Sequence, residues 1–269
     1  MMAYCSQAEV ACYADRNGRF GSCAIRANIV GRHKMTTVPV IPLKSNARSM
    51  WDAHHVMAQT SSVTAIAQLG EIAEAYTLAI EVVATLANRF AATFAKSNVM
   101  SSKVEAVLAG YIVGLTLVEH AILSGYSAQA AALVRQELEA IAALEELRKG
   151  SRKDGKTPNV RHVPTVPGHV YSDLSKLTHF SDTEALRVVA LLKDNSPAAP
   201  GPAEVWLLSP QHVLNTTRQL FALHTLLLLH FAEYQALHYV ELHGNHPDEN
   251  EMAAVDQALN LLRTAGVLG

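Results

Sequence analysis

The sequence predicts an all-α, multi-helix bundle with room for one small β-hairpin. Three observations carry this reading. Apolar residues make up 49% of the 269 and charged residues 17%, enough to fill a core and too apolar for a disordered chain. Apolar side chains recur at helical spacing through long segments, as in Ile66, Leu69, Ile72, Tyr76 and Ile80. Between those segments stand helix starters such as Asn46, Ser101 and Ser127, and helix stoppers such as Gly125 and Gly150.

Residues 1–45 differ from the rest. They hold all three cysteines, Cys5, Cys12 and Cys23, and no sustained period. Two readings fit them: a flexible tail, or an over-extended start with initiation at Met35. An odd number of cysteines without zinc-type spacing gives no disulfide framework, which points to a reducing, cytoplasmic setting. Residues 46–269 are expected to form a single helical-bundle domain.

The elements follow in order. Asn46 caps a helix reaching Gln59, and Ser61 or Ser62 caps a longer one reaching Lys96. Ser101 or Ser102 opens the next, which Gly125 breaks; Ser127 caps another, which Gly150 closes. A loop over residues 150–168, rich in Pro, Gly and basic residues, leads to a short helix over residues 169–180. Residues 186–192 and 204–208 flank Pro197, Pro200 and Pro202 and read as a hairpin, with a continued helix as the rival for the first of them. Ser209 and Pro210 start a long helix to about His243, and Pro247 starts the last, ending near Gly266.

Charge and hydropathy narrow the partners. A net charge of −2 gives no global pull toward nucleic acid or anionic lipid. The apolar run over residues 219–232 is short of the roughly 20 residues a membrane helix needs. The run over residues 104–123 carries Glu105, Glu119 and His120. Both read as buried helices, so no membrane partner is expected. The first is apolar nearly all round, which places it at the centre or in an interface and makes a homodimer one expectation.

Three motifs carry candidate chemistry. Residues 150–157 match the phosphate-binding pattern Gly-x4-Gly-Lys-Thr, with Lys156 as the residue a phosphate would meet. That chemistry needs a strand before the loop and a helix after it. Here a charged helix end precedes it and Pro158 follows, so an exposed basic loop fits the context better.

The second motif is Arg218-x5-His224 on the long helix. It resembles the Arg/His motif of HEPN-type ribonucleases, and the resemblance implies metal-independent attack on an RNA phosphodiester. Six positions place the two side chains about 120° apart around a helix, and the other reading is two ordinary residues of a partly buried helix.

The third motif joins Leu133-x-Arg135-x3-Glu139 to Tyr171-x2-Leu174-Ser175-x3-His179. Arg135 and Glu139 lie one turn apart, and Tyr171, Ser175 and His179 form a polar stripe at the same spacing. This pair of helices resembles an uncharacterised bacterial all-helical family over roughly residues 105–240. The resemblance implies an α-helical fold and no established activity. Two readings remain open. In one, Arg135 holds a small anionic ligand and Glu139 orients His179 for proton transfer or binding, with Tyr171 and Ser175 as hydrogen-bonding partners. In the other, the same groups form a satisfied interior network that fixes helix register.

No cofactor and no metal site are expected. His54 and His55 are adjacent and cannot share a helix face, and His224 and His238 lie about 21 Å apart along one axis. The functional expectation is therefore a helical binding or effector module, with a stress or phage-defence setting suggested by the family's character. The alternatives are a HEPN-like ribonuclease acting on RNA and a structural oligomer.

Overall fold

A computed structural model describes residues 43–92, 98–163, 166–179, 183–184, 191–194, 203–206, 210–244 and 248–268. The expectations for the N-terminal tail, its cysteines and Met35 lie outside the described residues. The helices are α1 (Leu43–Leu69), α2 (Glu71–Ala91), α3 (Val99–Leu123), α4 (Ser127–Arg148), α5 (Gly168–Thr178), α6 (Leu214–His243) and α7 (Glu249–Thr264). A short 3₁₀ turn (Val160–His162) lies between α4 and α5. Strands β1 (Leu191–Asp194) and β2 (Ala203–Trp206) pair antiparallel, with Leu191 opposite Trp206 and Asp194 opposite Ala203. The all-α bundle expected from the sequence is what the chain forms; the expected hairpin is represented by this strand pair, whose first strand shares only Leu191 and Leu192 with the expected 186–192, the remainder lying outside the described residues.

Several boundaries differ from the expected ones, each for a local reason. α1 runs through Ser61 instead of ending before it. Thr60 and Thr64 turn their hydroxyls back onto the carbonyls of Val56 and Thr60, both at 2.9 Å, and so remain compatible with the helix. The break comes at Gly70, whose φ of 50° lies in the left-handed region. α3 is capped by Asn98, whose side chain accepts from the amides of Met100 and Ser101 in a capping box. Pro210 does not start α6. The chain there is extended, because the Gln211 amide donates to the Gly125 carbonyl at 3.3 Å and His212 Nε2 lies 2.8 Å from Gln68 Oε1. α7 starts at Glu249, two residues after the expected Pro247, with Asp248 and Glu251 forming a second capping box.

α4 and α6 make the centre. α4 buries Val134, Leu138 and Ile141 together with the small Ala130, Ala131 and Ala142, so close neighbours cover it on more than one face. α6 buries Leu227, Leu228 and Phe231. α3 and α5 pack on α4, α2 and α7 pack on each other, and α6 touches α2, α3 and α4. The all-round apolar character of α6 fits its place at the centre of the bundle, although Leu214 and Leu237 remain exposed. α3 and α6 are each long and apolar enough to cross a membrane; the α6 window is 72% buried, as in a core helix, and that of α3 39%.

Candidate functional site

The third sequence motif does assemble, with partners other than those expected. Arg135 Nη1 donates to His179 Nε2 at 2.7 Å and to Thr178 Oγ1 at 3.4 Å. Because a guanidinium has no acceptor, Nε2 of His179 must accept. Arg135 Nε lies 3.4 Å from Glu139 Oε1, and the guanidinium carbon sits 5.7 Å from the Tyr171 ring centroid. The Tyr171 hydroxyl donates to Glu139 Oε1 at 2.8 Å. Burial, then the hydrogen bond to Glu139, raises the Tyr171 phenol above its ordinary value. Glu139 therefore orients Tyr171, and Arg135 holds His179; the expected Glu139–His179 pairing is not made. Ser175 contributes its backbone carbonyl, which receives Thr178 Oγ1 and the His179 amide, both at 3.0 Å. His179 itself is the exposed C-cap of α5 rather than a residue of its interior.

The second motif does not assemble. Arg218 Nη2 donates to the Ala265 carbonyl at 3.0 Å, just beyond α7. His224 is wholly buried, and its Nδ1 lies 2.8 Å from Glu137 Oε2. Its ring also lies against Tyr76, with centroids 5.4 Å apart. An imidazole so enclosed is out of reach of an RNA phosphate.

The phosphate-type loop folds as an exposed loop. The amides of Ser151 and Arg152 donate to the Glu146 carbonyl at 2.9 and 3.2 Å, and that of Lys156 to Lys153 at 3.3 Å. A phosphate-binding loop must present such amides to its ligand. Here they close the end of α4 instead, and Lys156 points into solvent with no helix after it. Among the described residues, no group of three or more His, Cys, Asp or Glu could hold a metal ion.

Two features were missed in the sequence. The first is a cavity of about 590 Å³ between α2, α6 and α7. Leu86, Leu226, Ala236, Val240, Val255 and Leu259 wall it, and His230, Glu233 and Glu251 supply its polar groups. His230 Nδ1 lies 3.6 Å from Glu233 Oε2, and its hydrogen bond holds the Glu233 carboxyl below the usual range. Glu251 is tied to Arg89. The second feature is Glu137, a buried carboxylate on the apolar stripe of α4. The signal was available: an acidic residue at the same spacing as Val134, Ile141 and Leu144 breaks an otherwise apolar face.

No family model matches the chain, and no curated protein or solved structure matches it.

Proposed function

We propose that this protein is a binding module that holds a compact apolar small molecule between α2, α6 and α7. The observation that carries the reading is the cavity of about 590 Å³ with aliphatic walls and few polar groups. That volume falls within the roughly 300–1,000 Å³ of ligand pockets. Transfer of ligand carbon from water supplies the driving force, about 25 cal/mol per Å² of apolar area. His230 and Glu233 orient a polar end, and the carboxylate favours a neutral or hydrogen-bond-donating group over an anion. The Arg135 cluster fits a different part: Nη1 of the guanidinium is taken by Thr178 and His179 on α5 while Nε lies in an ion pair with Glu139, which suits a clamp of α5 on α4 better than an anion pocket.

Equilibrium titration with the neutral, environment-sensitive dye N-phenyl-1-naphthylamine tests this. Saturable fluorescence is expected from the wild type, with its loss in Ala236→Phe, which fills the cavity. No saturable signal, or an unchanged one in a folded Ala236→Phe, overturns the reading. RNA cleavage in EDTA, lost in Arg218→Ala, would restore the ribonuclease alternative.

A further inference from the structure

α1 outruns the bundle it belongs to. Its C-terminal half is held there by Ala58, Ser61, Ala65 and Leu69, all buried at helical spacing, with Ala65 and Leu69 part of the core. Toward the N-terminus the same side of the helix continues with His54 and Trp51. From residue 48 to residue 57 no side chain is buried, and Trp51 is 68% exposed. One stripe is thus covered over half of the helix and bare over the other half.

Beside the bare stretch a groove of about 580 Å³ opens between α1 and the C-terminal end of α3. Trp51, Ala58 and Val63 wall it on α1, and His120 and Ser124 on α3. The spacing of Val113, Leu117, His120 and Ser124 puts all four on one side of α3, so that wall continues beyond the groove as apolar surface. Val63, Ile66, Val113 and Leu117 are each more than half exposed. With Trp51 these side chains present roughly 700 Å² of mostly apolar surface, above the roughly 300–600 Å² of the largest patch on a typical monomer and close to the roughly 800 Å² per partner of a stable interface.

The occupant can be read from α1 itself. Its projecting stretch is a helix on the same surface as the groove. Two copies related by a two-fold axis can each offer the helix that the other's groove receives, and such a contact closes at a dimer. The lengths agree: residues 48 to 57 make about 15 Å of helix, and the α1 wall from Trp51 to Val63 spans about 18 Å. Identical faces must also not repel each other. Across residues 51–69 Asp52 is the only Asp, Glu, Lys or Arg, and Arg48 stands one turn before it. Tryptophan is among the residues that carry most of the energy of interfaces.

We propose that α1 and α3 form a homodimer interface, in which the projecting half of α1 from each copy lies in the α1–α3 groove of the other, with Trp51 as its anchor.

Sedimentation velocity and light scattering of the full chain over a concentration series test the proposal. A reversible species of twice the 29.1 kDa chain mass is expected. Trp51→Glu should weaken self-association by roughly thirtyfold or more. Its side chain is exposed in the single chain, so the variant should fold, with helical content by circular dichroism as the check. Val99→Lys, at a comparably exposed valine near the opposite end of α3, should leave the dimer unchanged. A chain that stays at 29.1 kDa at every concentration overturns the proposal and leaves the face to a membrane or to another protein. A dimer that persists in folded Trp51→Glu, or that Val99→Lys breaks as readily, overturns it too.

Discussion

At the scale of the residue, the molecule spends its polar side chains on holding helices together. His224 shows this best. It sits in the core at 0% exposure and faces a carboxylate 87 positions away in sequence. Removing one member of a buried pair leaves the other without compensation, which typically costs about 3–5 kcal/mol. His224→Ala should therefore destabilise the fold by about 3 kcal/mol or more in urea unfolding. A loss below ~0.5 kcal/mol would show that Glu137 is relieved by water or by protonation at no cost. Sequence distance explains why this pair was not legible while the Arg135 cluster was. Arg135 and Glu139 are one turn apart and announce themselves by spacing, as do Tyr171, Ser175 and His179. Which member meets which depends on how α5 ends, and that placed His179, rather than a mid-helix residue, against the guanidinium. For Glu137 and His224 only the broken apolar stripes were visible, and neither stripe names its partner.

At the scale of the element, boundaries are set by contacts that local sequence does not contain. Gly125 was legible as a helix stop, but its reason is partly tertiary. It has a φ of 79°, and a Cβ there would lie 2.5 Å from the Gln211 carbonyl oxygen, in the segment that leads into α6. Gly70 also needs a positive φ, yet a Cβ at that position meets nothing within 4 Å. The two glycines thus separate backbone strain from collision. Gly70→Ala should cost about 1 kcal/mol, the strain alone, and Gly125→Ala clearly more, since backbone must move as well. Thermal unfolding of the two variants decides it: equal losses, or a larger loss at Gly70, would mean that the contact of Gly125 with Gln211 is not tight. The same contact explains why Pro210 failed as a helix start. A serine–proline pair is compatible with a first turn, but residues 211 and 212 are held by Gly125 and Gln68 instead.

At the scale of the whole molecule, α4 and α6 are joined by two polar rungs. Glu137 meets His224 at one level, and Glu145 accepts from the Tyr234 hydroxyl at 2.5 Å at another. Both partners advance in the same sense along their helices, so the rungs fix the register of the two central elements, a role apolar packing alone specifies poorly. The lower rung ties stability to acid. Burial pushes the Glu145 carboxyl up, but donors from Arg148, Lys149 and Tyr234 outweigh it and hold it at about 2 against an ordinary 4.5. A depressed folded-state value means that the stabilisation is fully present above pH 4.5 and is lost as pH falls through 2. The melting temperature of the wild type should therefore fall steeply over that window. Glu145→Gln should melt lower at neutral pH, lose less on acidification, and approach the wild-type curve near pH 2, where the carboxyl is half protonated in the folded chain and almost fully protonated in the unfolded one. Circular dichroism melts at half-unit steps from pH 2 to 6 would read this directly. Curves that stay parallel down to pH 2 would show that the rung is held by packing, with the charge of Glu145 contributing nothing to the union of the two helices.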